Sequence, residues 1–76
     1  MSTQALAMVV TDWLNGRISN TQAEVRIFRI LANARILRDE DAYMEFASRE
    51  HGVADIVTGS RILRIRRDGT TEWIQK

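Results

Sequence analysis

The chain carries few residues that could act as a nucleophile or a general base. It has one histidine, no cysteine and four serines, and no serine lies in the Gly-x-Ser-x-Gly turn that exposes a catalytic hydroxyl. The histidine, His51, directly precedes Gly52, a position at which a cation complements the C-terminus of a helix. The four glycines are isolated, so the sequence has no glycine-rich phosphate loop. These residues predict a protein that is not an enzyme and that uses no cofactor.

An acidic cluster near the middle of the chain is the candidate for a metal site. Carboxylates four residues apart share one face of a helix, and oxygen ligands suit Mg²⁺. Acidic side chains also stabilise the first turn of a helix, because its unpaired amide groups carry partial positive charge. We favour this second interpretation and expect no metal. The predicted acidic patch comprises Asp39, Glu40, Asp41 and Glu45.

Arginine dominates the basic residues of the chain. Ten of the eleven are arginine, and the single lysine is Lys76. Guanidinium groups bind phosphate and carboxylate groups through paired hydrogen bonds. The arginines closest to an Asp-Gly pair, together with a nearby tryptophan, are therefore predicted to contact a partner. These residues are Arg61, Arg64, Arg66, Arg67 and Trp73.

The net charge of +1 conceals three zones of alternating sign. Residues 1–38 carry five arginines against two acidic residues, residues 39–55 carry six acidic residues against one arginine, and residues 56–76 carry five basic residues against two acidic ones. Local fields, more than the total charge, steer a partner towards a protein. The charge pattern therefore predicts a patchy surface, with an acidic middle zone between two basic ones.

Length and composition predict one small domain over residues 1–76. A chain this short buries only about 60% of the surface that its unfolded form exposes, so every amphipathic element must contribute to one core. Residues 5–10 form the longest apolar run, which is far shorter than the roughly 18 residues that span a bilayer. The first basic residue is Arg17, so the start lacks the charged region of a signal peptide. We expect an intracellular, cytoplasmic protein without a membrane segment.

Two amphipathic helices are predicted in the first half of the chain. The first covers about Thr3 to Asn15 and ends at Gly16, where a left-handed residue stops a helix. The second begins in the Ser19-Asn20-Thr21 segment and continues towards Arg38. Either Ser19 with Gln22 or Thr21 with Glu24 could form its capping box. The apolar stripe of the first helix is Leu6, Val9, Val10, Trp13 and Leu14.

A third helix is predicted from about Asp39 to Gly52. Its apolar stripe would be Tyr43, Phe46 and Ala47, at the spacing of a helical face. Neither glycine nor proline separates it from the second helix, so one long bent helix is an alternative. Residues 53–60 fit a short helix, a strand or a loop equally well.

A β-hairpin is predicted at the C-terminal end, with Asp68-Gly69 at its turn. A two-residue loop would place Ile65 opposite Glu72, an apolar group facing a carboxylate. A three-residue loop over residues 67–69, with Gly69 in the left-handed conformation, pairs Arg64 with Glu72 instead. It also pairs Leu63 with Trp73 and gathers apolar side chains on one face. We favour this register, which leaves Trp73 in the core or stacked under Arg64.

The predicted fold is therefore α+β, with three helices followed by a C-terminal β-hairpin. This is the element order of a winged helix, in which a helix enters the major groove and the hairpin touches the DNA backbone. A DNA-binding regulator that uses its arginine-rich hairpin is accordingly one hypothesis. The acidic charge of residues 39–55 would, however, set the third helix against phosphate.

Protein binding is the favoured function, because interfaces are enriched in arginine and aromatic residues. We expect a small non-enzymatic modulator or inhibitor of a larger complex, such as one that processes nucleic acid. The size, the missing catalytic residues and the patchy charge resemble the general class of small phage or mobile-element proteins that inhibit or redirect a host complex. The exposed edges of the hairpin also allow a homodimer.

Overall fold

The computed structural model describes residues 2–33 and 42–75. Within these residues two helices precede four strands, and the strands form one antiparallel sheet in the order β1-β2-β3-β4. This arrangement confirms the α+β class. The elements are α1 (Ser2–Leu14), α2 (Asn20–Asn33), β1 (Ala42–Ser48), β2 (Val53–Thr58), β3 (Arg61–Arg66) and β4 (Thr71–Gln75). Neither of these helices is long and apolar enough to cross a membrane.

The turn between the two helices follows the predicted signals closely. Gly16 has a φ of 74°, and its N–H donates to the carbonyl of Trp13 at 3.0 Å. The N–H of Arg17 donates to the carbonyl of Asp12 at 2.8 Å. These two bonds form a Schellman motif, which satisfies carbonyl groups at the end of α1.

The capping box at the start of α2 uses the first of the two predicted pairs. The N–H of Gln22 donates to Ser19 Oγ at 3.1 Å, and the N–H of Ser19 donates to Gln22 Oε1 at 3.0 Å. Each side chain therefore satisfies a backbone amide of the other residue. The predicted continuation of this helix to Arg38 falls on residues 34–41, outside the described residues.

The third helix was wrongly predicted, because residues 42–48 form strand β1. The pairing of β1 with β2 shifts between Met44 and Phe46, so a β-bulge lies at Glu45. The extra residue brings Tyr43 and Phe46 to the same face of the sheet, although a regular strand would place residues three apart on opposite faces. Their spacing therefore imitates that of a helix. His51 consequently lies in a turn between strands and does not cap a helix.

Residues 53–58, which the sequence left open, form the inner strand β2. Its side chains are largely buried on both faces of the sheet. Ala54 and Ile56 face the helices and belong to the core, whereas Val57 is buried on the opposite face. A strand that is buried on both sides shows no alternation of polar and apolar residues, which is why its pattern was ambiguous.

The C-terminal hairpin has the predicted register. Leu63 pairs with Trp73 and Arg64 pairs with Glu72. The N–H of Arg66 donates to the carbonyl of Thr70 at 2.9 Å, and Gly69 has a φ of 90° in the three-residue loop between them. Asp68 Oδ1 accepts hydrogen bonds from the N–H and the hydroxyl of Thr70, at 2.9 and 2.7 Å. These bonds, followed by the charge of Arg66, lower the pKa of the Asp68 carboxyl.

One hydrophobic core fills the space between the two helices and one face of the sheet. Ala54, Ile56, Leu63 and Ile65 on β2 and β3 are all completely buried in it. Their alternation along each strand means that residues in between lie on the opposite face. The helices contribute Leu6, Val10, Leu14, Ala23, Ile27 and Leu31.

Two turns at one end of the sheet are bonded to the end of α1. Arg49, in the β1–β2 turn, donates from Nε to the carbonyl of Trp13 at 2.8 Å and from Nη2 to the carbonyl of Ile18 at 2.7 Å. Its guanidinium also lies 4.9 Å from the centroid of the Trp13 ring. Arg67, in the β3–β4 loop, donates to the carbonyl of Arg49, and Asn15 Nδ2 donates to the carbonyl of Arg67 at 3.0 Å. We call these five residues the turn junction.

Gly52 gives a direct test of the turn junction. Its φ is 70°, and a Cβ there would lie 2.9 Å from Cζ of Arg67. Gly16 has nearly the same φ but no atom within 4 Å of such a Cβ. Both Gly→Ala changes pay the left-handed strain of about 1 kcal/mol. Gly52→Ala must also displace Arg67, so it should lower the free energy of unfolding by about 1 kcal/mol more than Gly16→Ala.

Urea unfolding followed by circular dichroism measures both variants. The difference between them should vanish in an Arg67→Ala background, where the displaced guanidinium is absent. Equal losses for Gly52→Ala and Gly16→Ala in the otherwise unchanged chain would show that Arg67 does not hold this turn.

Candidate functional site

Arg64, one of the predicted contact residues, lies on the sheet face opposite the helices and is engaged by Asp55. Its Nε and Nη2 atoms each donate to one carboxylate oxygen of Asp55, both at 2.9 Å. Asp55 is 7% exposed, so the carboxylate of this ion pair is buried at the surface of the sheet. The hydrogen bonds, and then the charge of Asp55, raise the pKa of Arg64. The ion pair therefore balances a charge on an inner strand.

Arg66 and Arg67 flank the start of the hairpin loop but face different surroundings. Arg66 Nη2 lies 2.6 Å from Glu72 Oε1 across the hairpin. Arg67 belongs to the turn junction, where its guanidinium lies against Gly52. Both side chains therefore have partners within the chain, and each remains a predicted partner contact.

Arg61 and Trp73 form a stacked pair at the outer edge of the sheet. The guanidinium carbon of Arg61 lies 4.0 Å from the centroid of the Trp73 ring. Trp73 is 38% exposed, so it is neither a core residue nor stacked under Arg64. Alternation along β3 places Arg61 and Leu63 on one face and Arg64 on the other, and Trp73 shares the face of Leu63 because the two are paired.

The predicted acidic patch is described at one of its four positions. Glu45 is exposed at the bulge of β1, whereas Asp39, Glu40 and Asp41 lie outside the described residues. Among residues 2–33 and 42–75, no group of three or more acidic or histidine side chains is arranged to hold a metal ion.

The face of the sheet opposite the helices, which we call the open sheet face, has two ordered rows of side chains. The pairing of the strands places Tyr43, Val57, Ile62 and Ile74 side by side across all four strands. The next row is Phe46, Asp55, Arg64 and Glu72. The first row is largely apolar. The second begins with Phe46 and continues with acidic, basic and acidic side chains.

A groove of about 640 Å³ separates α2 from the edge strand β1 on the helix side of the molecule. This volume is within the range of ligand-binding pockets. Phe28 on α2 is 74% exposed, so its ring presents apolar surface at the groove, whereas the register of β1 places the side chain of Tyr43 on the opposite face of the sheet. We call it the α2–β1 groove, and its lining is Trp13, Asn20, Ala23, Glu24, Ile27, Phe28, Leu31, Tyr43, Met44 and Ala47.

Trp13 closes the groove at the turn junction. It packs partly buried against the core, and its Nε1 donates to Asn20 Oδ1 at 2.7 Å. Arg49 holds the other side of the ring. The sequence placed Trp13 in the core stripe, but it could not reveal that the same ring lines a groove.

The sequence could not predict this groove, because only one of its two walls was predicted correctly. Phe28 was a usable signal, since a large aromatic residue outside the apolar stripe of α2 has no place in the core. The second wall depends on β1, which was predicted to be a helix. Comparisons with protein-family models, with curated proteins and with solved structures found no match, so the geometry alone supports an assignment of function.

The ion pair between Asp55 and Arg64 predicts an asymmetric response to mutation. Arg64→Ala would leave a carboxylate on an inner strand without its partner, whereas Asp55→Ala would leave a guanidinium whose side chain is 37% exposed and can reach water. Arg64→Ala should therefore lower the free energy of unfolding more than Asp55→Ala does.

Chemical unfolding of both variants and of the double variant at neutral pH measures this difference. Restoration of stability in the double variant relative to Arg64→Ala is expected, since no buried carboxylate then remains. A larger loss for Asp55→Ala than for Arg64→Ala would contradict the assignment of Asp55 as the more buried partner.

Proposed function

We propose that this protein is a small non-enzymatic module that binds another protein and modulates a larger complex. The observation that carries the proposal is the α2–β1 groove, whose α2 wall exposes the large aromatic ring of Phe28 on a small domain. Monomeric proteins rarely leave large contiguous apolar surfaces exposed unless these surfaces bind something. The occupant that fits best is the apolar face of an amphipathic helix from the partner.

The wall formed by α2 has the regular geometry that such a helix needs. Its lining residues form one stripe from Asn20 to Leu31 at intervals of three and four, in which Phe28 is the exposed apolar side chain and Ala23, Ile27 and Leu31 are buried in the core. The rise of an α-helix gives this stripe a length of about 16 Å. A partner helix of about three turns would match it and place apolar side chains at intervals of three and four into the groove. Glu24 on the rim favours a basic residue on the partner.

The opposite wall, β1, favours a helix over an added strand as the occupant. A strand that joins a sheet edge needs a regular row of backbone donors and acceptors. The bulge at Glu45 interrupts that row in the middle of β1. Bulges of this kind protect natural edge strands from pairing. Side-chain packing against Met44 and Ala47 does not need an unbroken backbone row.

The interactions that the hairpin arginines make within the chain support protein binding over DNA binding. Affinity for DNA requires several cations that neutralise phosphates. Arg64 and Arg66 are paired with carboxylates, and Arg67 donates to a backbone carbonyl. Binding phosphate would require these interactions to be broken or shared. A DNA-binding regulator remains the second hypothesis, with less support from the geometry.

A pair of matched variants on α2 tests the groove. Phe28→Asp puts a carboxylate on the groove wall, whereas Val25→Asp puts the same charge at a 51% exposed position of the helix that does not line the groove. Both residues are exposed, so both variants should fold. In affinity capture with nuclease present, Phe28→Asp should lose at least about tenfold of the recovered partner, and Val25→Asp should retain it.

The partner recovered with the unchanged chain then allows a direct measurement. A peptide that covers its amphipathic helix should bind the unchanged chain and Val25→Asp in a fluorescence anisotropy titration, and it should not bind Phe28→Asp. Equal binding by both variants would exclude the groove. Capture of nucleic acid alone, together with a salt-dependent shift of duplex DNA by the unchanged chain, would favour the second hypothesis instead.

A further inference from the structure

On its two inner strands, the open sheet face carries a pair of opposite charges that is complementary to itself. Its inner positions carry Asp55 on β2 and Arg64 on β3, side by side, with Val57 and Ile62 in the neighbouring apolar row. The four charged residues that pair on this face form two ion pairs, Asp55 with Arg64 and Glu72 with Arg66. The face therefore carries no strong excess of one sign. A surface of this kind does not attract a highly charged polymer, and it suits a protein face of matching pattern.

Rotation by a half-turn about an axis that runs along the strands, between β2 and β3, superimposes opposite charges. The axis places Asp55 of one copy over Arg64 of the second copy, and Arg64 over Asp55. In the apolar row it places Tyr43 over Ile74 and Ile62 over Val57, which is only 1% exposed and adds little surface. In the charged row it also places Phe46 over Glu72. Each contact is made twice, as a twofold interface requires.

The side chains can take part in such contacts without losing their present ones. A guanidinium has five N–H groups, and the pairing of Arg64 with Asp55 uses two of them. Ile62 and Ile74 are only half buried, and Tyr43 and Phe46 are exposed, so the apolar row and the aromatic residue beside it have surface left to bury.

We propose that two copies of this chain associate through their open sheet faces, with the helices on the outside. The sheets would pack about 10 Å apart, as in a β-sandwich. Four strands about 4.8 Å apart and about six residues long give each face roughly 400 Å² in projection. Stable interfaces bury about 800 Å² per partner, so the dimer is weak and depends on concentration. The α2–β1 groove lies on the helix side, so the dimer is independent of the proposed function.

Sedimentation equilibrium with the purified chain at concentrations up to about 1 mM tests this proposal. The apparent mass should rise with concentration from 8.7 kDa towards twice that value. Ile74→Lys puts a charge in the apolar row and should hold the mass at that of one chain. Gln75→Lys is the matched control, because it puts the same charge on the adjacent residue, which lies on the other face of β4, and should associate like the unchanged chain.

Circular dichroism confirms that each variant is folded. Tyr43→Lys is a second disruptive variant, for use if Ile74→Lys does not fold, because Tyr43 is exposed in the free chain. A mass that stays at 8.7 kDa throughout the concentration range would overturn the proposal. Association of Ile74→Lys or Tyr43→Lys as strong as that of Gln75→Lys would overturn it too, since the copies would then meet elsewhere, for example along the edge of β4.

Discussion

The turn junction is the constraint on which the rest of the structure depends. Two hairpin turns far apart in sequence meet the C-terminal end of α1 there, and Arg49 supplies most of the bonds. Carbonyl groups at the end of a helix lack partners within the helix. The guanidinium of Arg49 donates to the carbonyl of Trp13 in the last turn of α1 and to that of Ile18 in the following turn, and it lies over the ring of Trp13. The same residue therefore orients the sheet against the helices and fixes the end of the α2–β1 groove.

Because the turn junction holds the helices against one face of the sheet, the two faces differ in composition. The face towards the helices supplies the hydrophobic core, in which Ile56 and Leu63 are completely buried. The open sheet face carries paired charges and an apolar row, which is unusual for a surface that faces only water. An inner strand such as β2 can hold Asp55 because Arg64 lies directly opposite on β3. One acidic residue of the zone 39–55, Asp55, is therefore neutralised by an ion pair within the chain.

Local signals in the sequence predicted the parts of the fold that depend on local physics. Gly16 ended α1, Ser19 and Gln22 capped α2, and the Arg64–Glu72 pairing set the hairpin register, because each depends on residues close together in the chain. The β1 strand could not be predicted, since a single bulge gave its apolar residues helical spacing.

The candidate site was less predictable than the fold, because it depends on contacts between distant elements. The arginines of the hairpin were visible in the sequence, but their partners were not. Arg64 lies opposite Glu72 as predicted, but its ion pair is formed with Asp55 on β2, a strand that had not been recognised. The α2–β1 groove likewise needs both its walls to be known. Phe28, an aromatic residue outside the apolar stripe of α2, was the one sequence signal that could have indicated it.

Photo-crosslinking from the groove tests the central claim, that this domain acts by binding a partner helix between α2 and β1. Phe28 would be replaced by a photo-reactive phenylalanine analogue, with the same analogue at Val25 as the comparison, and the cross-linked peptide would be identified by mass spectrometry. We expect a cross-link from position 28 to an amphipathic helix of one protein, and little or none from position 25. Cross-links to nucleic acid, or equal yields from both positions, would contradict it.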